Sequence, residues 1–302
     1  MDQSSDRLIV LSLGLKSCVL SMATDGSDVR VLVDGLDSKP DGVSIDHARR
    51  HIFYSFMGVT RDGEDFWENE GYIERCNYDG SDRQVVVPLG SFVTGKQLVF
   101  NDAMQRLYWC DREGMAVLSC RPDGSDLRTE VRTGSGQDKL DPRNHCVGVA
   151  VDAKGGYLYW TLKGKPNGCE GRIMRMPLQL PPGADPARRT DLETLLDGLP
   201  EPIDLEWDET TDSLYWTDRG DPPAGNTLNR AKLRDGKLVD HEILLSNLNE
   251  AIGLALDLPG RRAFVTELVG GNVRMMNLDR PGESTVIYHT KGRLVGLAYL
   301  RA

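Results

Sequence analysis

Asp204 and Glu206 stand two residues apart in Ile203-Asp-Leu-Glu-Trp-Asp208. In an extended strand alternate side chains share a face, so the two carboxyls lie about 7 Å apart. Such a pair suits general acid/base work or a hard cation. The same level of other, similar stretches carries Gly42, Gln97, Gly148, Gly253 and Gly296 opposite Asp204, and Ser44, Val99, Ala150, Ala255 and Ala298 opposite Glu206. The face is therefore small in most copies, as close packing near an axis requires, and Asp204, Glu206 and Gln97 break it. A neighbouring arginine or trapped water would equally satisfy the two acids. Where each stretch begins stand Asp41, Lys96, His145, Glu201, Glu250 and Arg293, one per copy. Any one alone reads as a solvated loop charge. As a set they predict a charged ring around one opening, with His145 the best placed to move protons near neutral pH.

These residues are positioned by a repeat. Ser213-Leu-Tyr-Trp-Thr-Asp218 recurs as Leu107-Tyr-Trp-Cys-Asp111 and Leu158-Tyr-Trp-Thr161, and in degraded form as Ile52-Phe-Tyr-Ser55 and Ala263-Phe-Val-Thr-Glu267. Each follows an Asp that closes an apolar run: Asp46, Asp102, Asp152, Asp208 and Asp257. Successive Asp residues are 56, 50, 56 and 49 apart, and the first aromatic follows 7, 6, 7, 7 and 7 residues later. A fixed internal spacing inside a period of roughly 40–50 residues, in strand-rich units, reads as a propeller. Asp25-Gly-Ser-Asp28, Asp79-Gly-Ser-Asp82 and Asp123-Gly-Ser-Asp126 supply hairpin turns. The first unit, residues 7–36, lacks a first strand, and Leu294–Leu300 is a first strand with nothing after it. Pairing the two closes a ring of six four-stranded units and removes both sheet edges. The fold expected is all-β: a six-bladed propeller, one domain over 1–302.

The aromatic core motif, Gly253-Leu-Ala-Leu-Asp257 before it, the Ile/Leu-x-Arg of the third strands (Ile73/Arg75, Ile173/Arg175, Leu228/Arg230) and the Asp-Gly-Ser turns resemble the YWTD propellers of the LDL-receptor class. The resemblance covers essentially the whole chain; it implies the fold and leaves function to the site. In overall type, a propeller without appended modules also resembles the stand-alone fungal hetero-Diels–Alderases that join a tropolone quinone methide to an apolar terpene. That likeness implies a cofactor-independent cyclase in which orientation supplies most of the rate. Lys96, Gln97, His145 and Arg293 would donate to a carbonyl, with Asp204 or Glu250 taking a proton. Asp41, Phe66, Trp67, Glu206 and Glu250 would bind substrate. Phe66 and Trp67 belong to the longest loop between second and third strands, Gly58–Tyr72, and either lid the central pocket or fold back onto blade two. The gluconolactonase type binds a metal with a Glu–Asn–Asn–Asp set on the inner strands; here Asp204 and Glu206 are the only inner acids and Asn144 and Asn249 sit at strand entries, so a metal-dependent lactonase-type hydrolase is the less favoured alternative. The cyclase chemistry requires neither metal nor organic cofactor. The alternative is a non-catalytic module whose upper loops, with Glu64, Asp65, Trp67 and Glu68, bind a protein or peptide.

The net charge of −10, with scattered acids and bases, argues against nucleic acid as a partner. No apolar run is long enough to span a membrane, and the first residues carry no secretory pattern, so the expected setting is cytoplasmic. Six positions three residues into the third strands read Met22, Cys76, Cys120, Met176, Ala231 and Met276, a soft packing position that predicts reduced, buried Cys76 and Cys120.

Overall fold

The computed structural model describes residues 5–14, 16–59 and 66–302. Six four-stranded antiparallel sheets form the six blades of a propeller ring, and the closing blade has the order Arg293–Leu300, Arg7–Leu13, Ser17–Ala23, Arg30–Leu36. Its seam is a register of backbone pairs from Arg7↔Leu300 to Leu13↔Arg293. The other five innermost strands are Pro40–Asp46, Gly95–Asn101, Cys146–Asp152, Pro202–Asp208 and Ala251–Asp257.

The repeated sequence explains the ring. The aromatic pair of the motif fills the space between blades: Trp109, Trp160 and Trp216 are fully buried, as are Tyr54, Tyr159 and Tyr215. The motif's Thr or Ser staples each blade to the next. Ser55, Thr161, Thr217 and Thr266 accept from the N–H of Gly42, Gly148, Asp204 and Gly253 in their own blade. The same hydroxyls donate to the carbonyls of Lys96, Ile203, Ile252 and Val295 in the following blade, at 2.7, 2.9, 2.6 and 2.5 Å. In blade three Cys110 takes this place and its thiol reaches the Gly148 carbonyl at 3.3 Å. The motif's acid ties the top of its own blade: Asp111 accepts from the N–H of Val93, Thr94 and Gly114, and Asp218 from Glu201 and Gly220.

Glycine is required where inner strands meet. A Cβ on Gly148 would sit 2.1 Å from the Ile203 carbonyl oxygen, and one on Gly296 would sit 2.3 Å from that of Asp41. The acid ending each first strand caps the turn to the second, as when Asp152 and Asp257 accept from the N–H of Gly155 and Gly260. Blade three corrects the expected closing residue while keeping Gln97 and Val99 in register. Its capping residue is Asn101, which accepts from Met104 N–H, and not Asp102. Counted from Asn101 to Tyr108 the spacing is 7, as in the other blades.

Cys76 and Cys120 are buried and unpaired, and all six cysteines are free. Among the described residues no helix is long and apolar enough to cross a membrane. Part of the long loop, residues 60–65 with Glu64 and Asp65, lies outside the described residues.

Candidate site at the upper mouth of the channel

The residues singled out in the sequence divide between two cavities at opposite ends of the channel. The upper one, about 140 Å³, opens where the inner strands begin; the lower one, about 250 Å³, opens where they end. Among the described residues they share no lining residue.

Two complete rings of six build the upper cavity. The first comes from the second residue of five inner strands and its counterpart in the closing strand: Asp41, Lys96, Val147, Ile203, Ile252 and Val295. Side-chain alternation turns these into the channel, where four apolar residues make a floor and Asp41 and Lys96 pair at 3.0 Å. Burial lowers Lys96 to about 8 against the opposing pull of Asp41, and its ammonium also lies 2.9 Å from the Met57 sulfur.

The second ring is Leu13, Met57, Arg112, Lys163, Arg219 and Leu268, residues at or just past the end of each motif strand. Five are fixed by backbone hydrogen bonds of one kind. The N–H of Met57, Arg112, Lys163, Arg219 and Leu268 donates to the carbonyl of Lys39, Thr94, His145, Glu201 and Glu250 respectively, at 2.8–3.1 Å. Leu13 pairs instead with Arg293. Lys39, Arg293 and Phe66 are the other described residues of the lining.

The cavity therefore has an apolar floor beneath a cationic collar. Among the described residues six of the lining are Lys or Arg, and Asp41 is the one acid. The other described carboxylates that pair with them stand behind the collar. Glu201 takes Lys163 at 2.8 Å and Arg219 at 3.0 Å on the same oxygen, and Glu113 takes Arg112 at 2.6 Å. Glu250 lies 3.9 Å from Arg219 and is largely turned to solvent. Arg293 is exposed and has no ion pair among the described residues. Phe66 is 5% exposed, between the Lys39 ammonium at 5.6 Å and the Arg112 guanidinium at 5.7 Å, and its carbonyl accepts from Thr94.

The expected charged ring proves to mix two levels. Asp41 and Lys96 lie one pleat below His145, Glu201, Glu250 and Arg293, whose true level-mates are Lys39 and Thr94. His145 does not line the cavity. Its Nε2 lies 2.8 Å from the Lys139 carbonyl oxygen, so Nε2 carries the proton, Nδ1 is buried without a partner, and burial lowers the imidazole's affinity for a further proton. Glu250 is likewise outside the lining; its N–H donates to Asn226. Trp67 is half-buried under the Lys139 ammonium, 5.3 Å away, toward the connection between blades three and four. The collar residues Arg112, Lys163 and Arg219 were not anticipated, although each directly follows a legible motif strand.

Asp204, Glu206 and Gln97 face the lower cavity, not the upper mouth. Asp204 is a second blade-to-blade staple. One carboxyl oxygen accepts from Leu205 N–H at 2.9 Å, the other from Leu254 N–H on the next inner strand at 2.8 Å. Neither an arginine nor a metal cluster is its partner; among the described residues no group of three or more His, Cys, Asp or Glu could hold a metal ion. Burial raises Asp204 to about 7. Glu206 has no hydrogen-bond partner among the described residues, and burial, then the neighbouring Asp204, raises it to about 8. The Gln97 amide nitrogen is buried without a partner.

No family model matches the chain. The low-density lipoprotein receptor-related protein 1 of Pyricularia oryzae is 40% identical over 98% of both chains. The 3-hydroxyacyl-CoA dehydrogenase-like protein LAM1 of Cochliobolus heterostrophus is 33% identical over 97% of this chain, which spans 64% of that protein. Among solved structures, a chain of a nidogen/laminin complex superposes with a TM-score of 0.74 at 15% identity, covering 98% of each chain, a likeness of fold alone.

Proposed function

We infer a function from one premise: the chain belongs to the family of YWTD-type six-bladed propellers that includes the low-density lipoprotein receptor-related protein 1 of Pyricularia oryzae. We propose that it is a small-molecule propeller working at the upper mouth, a cofactor-independent cyclase joining a tropolone-type quinone methide to an apolar terpene. The supporting observation is the union, in one enclosed space, of the floor Val147, Ile203, Ile252 and Val295 with the donors Lys96, Arg112, Lys163, Arg219 and Arg293. The space of about 140 Å³ is below the roughly 300 Å³ of drug-sized pockets, so it suits the ring of one partner. The terpene would lie over the rim against Phe66.

In such a hetero-Diels–Alder step the C=C–C=O unit and an alkene form one C–C and one C–O bond. Three π bonds are consumed and one is made, with no leaving group and no electron carrier. The protein's part is orientation, worth several kcal/mol, and cationic donors aimed at the carbonyl oxygen, where negative charge grows in the transition state. His145 and Asp204 have no place in this step, the first for want of access and the second because it faces the other cavity. The test is to mix a quinone methide precursor and the terpene with and without the protein. Faster, stereoselective product supports the cyclase; equal rate and selectivity refute it.

The relatives' receptor-related name favours a second reading, a protein-binding module with Trp67 on the rim as an anchor. A partner whose capture is abolished by Trp67→Ala, with cycloaddition absent, would favour that reading.

A further inference from the structure

Four polar side chains of the inner strands line the lower cavity: Ser44, Gln97, Asp204 and Glu206. The fold uses two of them. Ser44 accepts from Phe100 N–H of the next blade at 2.9 Å, and both oxygens of Asp204 are taken by the N–H of Leu205 and Leu254. The other two are left over. Glu206 and the Gln97 amide have no hydrogen-bond partner among the described residues, although Gln97 is 3% exposed and its amide nitrogen is buried. A buried polar group without a partner destabilises a fold, so two in one cavity point to an occupant. Water would satisfy them, but space and charge favour a larger guest. The cavity of about 250 Å³ exceeds the roughly 150 Å³ that encloses a benzene ring. Val99, Ala255 and Ala298 give it an apolar wall at the level of Glu206. Among the described residues the charged neighbour that acts on Glu206 is Asp204, a second acid. His47, Asp102 and Arg301 stand at the mouth, where all three are exposed.

We propose that the lower cavity binds a compact organic cation, an amidinium or primary ammonium on a single ring, with Glu206 as its counter-ion and the Gln97 amide oxygen as a second acceptor. An amidinium meets a carboxylate through two parallel charge-assisted hydrogen bonds. Its ring would lie against Val99, Ala255 and Ala298. This site is separate from the upper mouth and depends on nothing proposed there.

Burial raises Glu206 to about 8, so a cation must displace its proton in order to pair with it. Titration calorimetry of the intact protein with benzamidinium and with its neutral isostere benzamide reads affinity and, from buffers of different ionisation enthalpy, proton release. Near pH 7 benzamidinium should release close to one proton per site, and its affinity should rise about tenfold from about pH 7 to about pH 9. Across that window His47, whose proton affinity burial lowers, is neutral, and Tyr299 keeps its proton. Asp204, raised to about 7, ionises in the same direction. Benzamide should bind about tenfold more weakly near pH 9 and release no proton. Glu206→Gln keeps the shape of the neutral acid; it should lower benzamidinium affinity about tenfold near pH 9 and remove most of the proton release. Gln97→Met, which keeps the length and drops the amide, should weaken the cation about threefold. Should Glu206→Gln fail to fold, Gln97→Met and the proton release of the parent decide. No binding of benzamidinium, benzamide binding equally well, binding without proton release, or benzamidinium binding unchanged in Glu206→Gln would each overturn the proposal.

Discussion

Glu206 shows how far a single residue's surroundings can move its chemistry. Its ordinary value is 4.5 and burial in the lower cavity raises it to about 8. A carboxyl that holds its proton more tightly when folded contributes stability that is fully present below its unfolded pKa. That stability is lost as pH rises through the folded one. The loss attributable to Glu206 therefore runs from about pH 4.5 to about pH 8. Glu206→Gln keeps the neutral shape and cannot ionise. It should leave the melting temperature nearly unchanged at pH 5 and raise it by about 2–4 °C at pH 8.5; equal shifts at both pH values would mean that Glu206 is not buried against ionisation. The pair Asp204 and Glu206 was visible in the sequence because it broke a face of glycine, serine and alanine. Its direction was not visible. Which end of a channel a strand residue serves depends on how far along the strand the channel narrows, and that is set by all six strands together.

Elements carried the most legible information. The motif, the Asp-Gly-Ser turns and the small inner face predicted six blades, and each feature has a physical origin in the structure. Thr217 accepts from Asp204 N–H and donates to the Ile252 carbonyl, so its hydroxyl serves two otherwise buried backbone groups. Thr217→Val removes the hydroxyl at constant shape and should cost about 1–3 kcal/mol in denaturant unfolding, the range for an unsatisfied buried group. Thr210→Val, in a turn, should cost less. A Thr217→Val protein as stable as the parent would mean that the staple contributes nothing. Two element-level expectations need correction for identifiable reasons. The inner face of blade three, with Gln97 and Val99, is in the expected register, but its closing residue is Asn101 and not Asp102, because Asn101 caps the turn as well as an Asp does and is followed directly by Asp102. The collar of Arg112, Lys163 and Arg219 is not legible in the sequence because a single Lys or Arg just past a strand has the pattern of a solvated loop charge. The residue after each motif strand is hydrogen-bonded to the level where the first strands begin and projects into the same mouth.

For the whole molecule, closure is the feature on which the rest depends. The strand Arg293–Leu300 buries Leu294, Val295, Leu297, Ala298 and Leu300 and supplies both Val295 and Arg293 to the upper cavity. Deleting residues 292–302 should expose the edge of Arg7–Leu13 and abandon the Thr266 staple, leaving a chain that aggregates or unfolds. A soluble truncation that melts cooperatively would refute this account of the ring. Closure was legible because the sequence left one unit a strand short and one strand over.

That the two cavities share no lining residue, among the described residues, has a consequence for occupancy. A guest at the upper mouth touches none of the described side chains that line the lower one. The two cavities can then be filled independently, and an occupant that lingers in the upper one excludes its own successor without displacing whatever sits below.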